Sequence, residues 1–204
     1  MTEPMSPASA GRRLRRDCRR AQIIAAAEEA FALDGYHATS MENIAARARV
    51  SKPALYQHFP GKLELYPEVL GRQLDALVSA VRGALCSTSD NRTRVRAAVE
   101  AYFDFVEHGS WGYRLVFESH AHSEPRVRRD VDRATKECID AVCDLVAGDA
   151  RRARLLAGGV VGATRVNAQY WSTARGHVPK AAAIEMTLAL CWGGISSLPA
   201  TATT

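Results

Sequence analysis

Between Ser51 and Lys62 the chain reads SKPALYQHFPGK, and no other stretch constrains its fold so tightly. Ser51 can cap a helix whose first turn holds Pro53, where a missing N–H costs nothing. A second proline and a glycine end the segment, leaving a helix too short to persist alone in water. Its own apolar residues must therefore fasten it to a larger unit. At about 100° per residue, Leu55 and Phe59 fall together and face inward. Pro53, Ala54 and Gln57 lie opposite, Tyr56 and His58 flank them, and Lys52 stands beside Tyr56. The exposed face is small and hydrogen-bonding at its centre, with phosphate-seeking groups along both edges. A helix entering the major groove needs this layout, with its edges on the backbone and its centre on the bases. An ordinary short core helix would hold Tyr56 and His58 indoors.

The residues before this helix predict two more. Ile23, Ile24, Ala27, Ala30 and Phe31 repeat at helical spacing from about Arg20 to Leu33, and Gly35 supplies the left-handed stop. Thr39-Ser40-Met41-Glu42 reads as a capping box, with Thr39 and Glu42 each satisfying a free backbone donor. Ile44, Ala45 and Ala48 then face inward up to a break at Arg49-Val50. Three helices with the last two joined by a tight turn make a helix-turn-helix head.

Here the run MENIAARARVSKPALYQHFPGKLELY (41–66) resembles the head of the TetR/AcrR family of transcriptional regulators. The pattern L-Y-x-H-F…K-x-x-L carries the likeness, which spans Arg20 to Leu70. The resemblance implies that Tyr56, His58 and Lys62 contact the DNA backbone, and that Lys52, Pro53, Ala54 and Gln57 approach bases. It also implies that Thr39 and Ser40 touch phosphate. Two residues depart from the family pattern. Arg49 stands where glycine is usual, which requires a left-handed residue or a reshaped turn, and Gly61 replaces the usual Ser or Asn before Lys62.

Charge placement supports a polyanionic partner. The chain has a net charge of +5, and residues 11–20 (GRRLRRDCRR) hold six arginines against one aspartate, so this arm carries the whole excess. It reads as a disordered basic arm that seeks phosphates.

Beyond Lys62 almost every window keeps helical period, and period-two alternation is nearly absent. A long helix follows from Lys62 with Pro67 after its first turn, where a kink is expected. Further helices are predicted up to Gly109, over about 125–146, 149–173 and 179–195. The fold expected is all-α, a three-helix helix-turn-helix head on a larger helical ligand-binding and dimerisation body, about nine helices in total. The expected division is 1–19 basic arm, 20–66 head, 67–198 body and 199–204 tail.

Tyr102, Phe105, Trp111 and Phe117 concentrate aromatic area in a chain only 7% aromatic. With Tyr170 and Trp171 they suit the lining of an apolar effector pocket, although core packing explains each one singly. Gly158, Gly159 and Gly162 interrupt a helical run at ~1 kcal/mol each, which implies a close approach by a neighbouring helix or subunit. In the family, the last two helices form a four-helix bundle across a two-fold axis, which would place Gly158, Gly162 and Trp192 at a homodimer interface. YFDFVEHGSWGYRLVFES (102–119), ECIDAV (137–142) and WGGISSLP (192–199) resemble the actinobacterial regulators of fatty-acid-synthase genes within that family. Those regulators bind long-chain acyl-CoA in a tunnel through the body.

Other function classes find little support. His108, His120, His122 and Glu118 offer bases and an acid, but no nucleophile motif accompanies them, so no catalytic residue is expected. Five scattered cysteines and one H-x-H pair predict neither a metal site nor any cofactor. The longest apolar runs fall short of the ~20 residues that span a bilayer, and the N-terminus lacks a secretory apolar stretch. The expectation is a cytoplasmic repressor with no membrane role. It binds double-stranded operator DNA as a homodimer and is released by a small lipophilic effector. A regulator of drug efflux and a DNA-binding protein without an effector remain alternatives.

Overall fold

The computed structural model of the chain describes residues 7–108, 125–146, 149–173 and 178–196. Among them are eight helices and no strand: α1 (Pro7–Ala38), α2 (Met41–Arg47), α3 (Lys52–His58), α4 (Lys62–Leu85), α5 (Asn91–His108), α6 (Pro125–Cys143), α7 (Ala150–Thr173) and α8 (Lys180–Ser196). The all-α expectation holds. Two units emerge, Met1–Gly71 and Arg72–Thr204, with the division inside α4, a few residues beyond the expected one.

The first unit is built on the predicted apolar faces. Ile23, Ala27 and Ala30 of α1, Ile44 of α2, Leu55 of α3 and Leu65, Val69 and Leu70 of α4 are all fully buried. Leu55 and Phe59, at 0% and 2% exposure, anchor α3, and burying each contributes about 2–3 kcal/mol. Tyr36 and Tyr66 meet edge-on with ring centroids 4.8 Å apart, and Phe31 lies 5.8 Å from Tyr66.

Two backbone positions follow the sequence closely. Gly35 breaks the helical path of α1 with φ 78° and ψ 164°, a conformation that only glycine adopts without strain. Arg49 takes φ 51°, so the turn keeps the left-handed residue usually supplied by glycine.

Two expectations need correcting. α1 begins at Pro7 and not near Arg20, so from that proline onward the basic arm is helical. Arg, Ala and Leu are strong helix formers, and they outweigh the like-charge repulsion that suggested disorder. The cap of α2 is Ser40 and not Thr39. The Asn43 N–H donates to Ser40 Oγ at 3.1 Å, while Thr39 turns inward. Pro67 lies inside α4, as its place in the sequence implies.

In the second unit the rest of α4 joins α5–α8. Exposed ion pairs tie these helices: Arg133 reaches Asp75 of α4 and Glu137 of its own helix, each at 2.8 Å, and Arg96 of α5 reaches Glu185 of α8 at 2.5 Å. Lys180, at the start of α8, holds Asp104 and Glu107 of α5. Such exposed pairs contribute ~0.2–1 kcal/mol each. Thr187 is fully buried, and its hydroxyl donates to the Ala183 carbonyl and accepts from the Asn167 amide.

Candidate nucleic-acid interface

α3 presents the face read from its sequence. Lys52, Pro53, Tyr56 and Gln57 are exposed and Ala54 and His58 half-buried, opposite buried Leu55 and Phe59. Ser51 Oγ accepts from the Ala54 N–H and closes the first turn. Lys52 is not a free cation. Its ammonium lies 2.5 Å from the Glu42 carboxylate, which holds Glu42 below the usual carboxylate range and raises Lys52. Ser40 is half-buried at the N-terminus of α2.

Two of the expected phosphate contacts have other duties. Thr39 is 1% exposed, and its hydroxyl donates to the Gly35 carbonyl at 2.7 Å and the Ala30 carbonyl at 3.1 Å. It secures the end of α1. Lys62 donates to the carbonyls of Tyr36 at 2.5 Å, Thr39 at 2.8 Å and His37 at 3.3 Å, with its ammonium over the Tyr36 ring. Its three N–H groups match the orphan carbonyls at a helix end, and burial lowers its pKa. In this state neither residue is presented to a backbone phosphate.

Sequence reasoning missed a groove of about 440 Å³ between α1 and α3, walled by Arg15, Arg16, Arg19, Gln57 and His58. Burial first, then the charges of Arg16, Arg19 and Arg20, hold the His58 imidazole below its usual value. The spacing of Arg15, Arg16 and Arg19 already placed them on one helical face, a signal hidden by reading the arm as disordered.

The body contains a small apolar cavity of about 20 Å³. Val81 and Leu85 of α4, Val95, Val99 and Tyr102 of α5, Cys138 and Val142 of α6 and Val160, Val161 and Thr164 of α7 wall it. Burial pushes the Cys138 thiol up to about 11. Of the expected effector residues that the structure describes, only Tyr102 lines this cavity. Phe105 is half-buried, and Trp171 packs on Phe103 at 5.5 Å and donates to the Val178 carbonyl. Tyr170 is 72% exposed on the outer side of α7, so it does not line the cavity. Trp111 and Phe117 lie outside the described residues.

The same outer side of α7 carries Leu155 and Val166, and neighbouring α8 exposes Met186 and Leu190. Among the described residues, a side chain built on Gly158, Gly159 or Gly162 would meet nothing within 4 Å, so their packing requires none of these glycines. Trp192 is half-buried.

Residues 23–69 match the family described as "Bacterial regulatory proteins, tetR family". Over 195 residues the chain is 52% identical to the "HTH-type transcriptional activator FasR" of Mycolicibacterium smegmatis, covering 94% of this chain and 89% of that protein. Among solved structures it resembles a TetR-like transcriptional regulator from Rhodococcus sp. RHA1, with TM-score 0.68, 27% identity and 88% and 97% of the two chains covered. It also shares the fold of FadR from Bacillus subtilis, solved in complex with stearoyl-CoA, with TM-score 0.67, 17% identity and coverage of 85% and 97%. With the helix-turn-helix head and the match along nearly its whole length, the chain belongs to the TetR family of transcriptional regulators, and it is not an enzyme.

Proposed function

We propose that this regulator binds a palindromic operator as a homodimer through α3 of each head, and that a long-chain acyl-CoA entering the body lowers its hold on DNA. The apolar cavity walled by α4, α5, α6 and α7 carries this reading. At about 20 Å³ it has room for little more than one water molecule, so an acyl chain can enter only after the body helices move apart. The ligand therefore favours an arrangement different from this one, and such differential binding is what an allosteric switch requires. α4 walls the cavity with Val81 and Leu85 and supplies Leu65, Val69 and Leu70 to the head core, so the same helix serves both regions.

The relative sharing 52% identity is named an activator, and for this chain we read the direction of control as activation, in place of the repression first expected. The acyl-CoA class draws support from the sequence resemblance to actinobacterial regulators of fatty-acid-synthase genes and from the stearoyl-CoA complex of the FadR that shares this fold. Adding acyl-CoAs of increasing chain length to a protein–operator complex tests the reading. Release that appears only with long chains, below micelle-forming concentrations, is expected. Release at every length or at none would overturn the effector assignment, and transcription in vitro with and without the protein decides the direction.

A further inference from the structure

Arg15, Arg16 and Arg19 put three positive charges on one face of α1, against the groove-facing side of α3. Like charges at this spacing disfavour a helix. Two other arginines of the head are neutralised: Arg20 by Glu68 at 3.0 Å, and Arg47 by Glu29 and Asp34 at 3.6 Å each. Among the described residues, no carboxylate pairs with Arg15, Arg16 or Arg19, and none stands in the groove wall. The groove is therefore a concave positive site with no counterion among the described residues. Guanidinium forks match the oxygens of a phosphodiester, and the His58 ring adds a donor on the opposite wall.

We propose that this groove is a phosphodiester site. In it, the first turns of α1 and the end of α3 grip one backbone segment of the DNA beside the bases that α3 faces. The proposal rests on the DNA-binding reading above. It turns the basic arm from a diffuse cloud of charge into a built contact with defined residues. A free phosphate would satisfy the same donors, but exposed Tyr56 beside the groove and Gln57 in its wall, both on α3, favour a phosphate that belongs to a duplex.

The test compares salt titrations of the full chain with Arg16→Ala, Arg19→Ala and Arg13→Ala. Each protein is measured on a random-sequence duplex and on a duplex selected from a random pool. Arg13 is exposed on α1 but does not line the groove, so it controls for net charge. Arg16→Ala and Arg19→Ala should weaken both duplexes by the same factor. Each should also flatten the salt slope by about 0.9, so that affinity falls ~3.5-fold less between about 50 and about 200 mM salt. Arg13→Ala should leave the slope near that of the parent. Equal effects from all three variants would show that the charge acts diffusely, and unchanged slopes that these arginines meet no phosphate; either result overturns the site.

NMR of the His58 ring supplies an independent readout. The duplex should shift its signals, whereas a response to inorganic phosphate but not to duplex would assign the groove to a free anion and overturn the proposal. If the groove responds as expected but no sequence is selected from the pool, the groove stands and the operator-binding regulator reading falls.

Discussion

The Arg20 guanidinium lies over the Phe59 ring, 4.7 Å from its centroid, while it pairs with Glu68 at 3.0 Å. One side chain thus fastens α1 to the residue that ends α3 and to α4. Phe59 fixes where α3 stops, so Arg20 sets the pose of the helix offered to DNA. Arg20→Ala removes a cation–π contact and a partly exposed ion pair, together worth about 1–2 kcal/mol. The urea midpoint should fall accordingly, and operator affinity should weaken with the salt slope unchanged. A flattened slope would show that Arg20 itself meets a phosphate.

Lys62 offers the sharpest contrast between resemblance and geometry. Three carbonyls at the end of α1 accept from its ammonium, and leaving them unmet costs about 1–3 kcal/mol. Lys62→Ala should therefore destabilise the head in urea without changing the salt dependence of DNA binding. If stability held and the slope flattened, the carbonyl contacts would be an idle-state arrangement exchanged for phosphate on binding.

Gln57 is the exposed polar residue at the centre of the α3 face, and its amide can pair with both N6 and N7 of an adenine. Gln57→Ala should relax selection at one base position per half-site, at a cost of ~1–3 kcal/mol there. An unchanged motif from a selection experiment, with uniformly weaker binding, would make Gln57 part of the phosphate grip and not a base reader.

His58 predicts a pH dependence of definite sign. In the free protein its pKa lies below the ordinary 6.5, because burial and then Arg16, Arg19 and Arg20 of α1 disfavour the charged ring, with Arg20 itself held by Glu68 of α4. A phosphate beside the ring favours the charged form, so binding DNA takes up a proton. The extra affinity is fully present below the free-state pKa and is lost as pH rises through the bound-state value. In the free protein the same depression makes head stability fall as pH drops through the lowered pKa. Operator affinity measured across this range should rise on acidification in the parent and stay flatter in His58→Gln. Identical profiles would remove His58 from the phosphate contacts.

How much of this was legible follows from the range of each interaction. Leu55 and Phe59 could be placed inward because the period of a helix is a local property, and Gly35 and Arg49 because a turn restricts φ residue by residue. Thr39 was misread because Thr39/Glu42 and Ser40/Asn43 have the same spacing, and only the core decides which hydroxyl turns in. The Arg20–Phe59 contact and the α1–α3 groove join residues distant in sequence, and no periodicity records them. Tyr170 looked like pocket lining because an exposed aromatic and a buried one have the same composition.

The outer face of α7 and α8 leads to the last prediction. Leu155 and Tyr170 are 79% and 72% exposed, and Met186 and Leu190 are 66% and 60% exposed on the neighbouring helix. Large apolar residues exposed singly are ordinary, but a row of them along two adjacent helices is what a contact between copies would cover. Gly158, Gly159 and Gly162 lie within α7, and among the described residues a Cβ at any of them has open space. Their helix cost of ~1 kcal/mol each is therefore not offset by packing here, but a second copy approaching closely would offset it. Two heads are also needed to read two half-sites, and a two-fold interface brings the same patch to itself. Gly162→Leu should consequently leave the fold of each protomer intact, shown by an unchanged helical circular dichroism spectrum, and should overpack the contact between copies. Sedimentation should then give monomers and operator affinity should collapse, while Leu155→Arg on the same face should act in the same direction. A fully dimeric Gly162→Leu protein would place the two-fold interface elsewhere on the body.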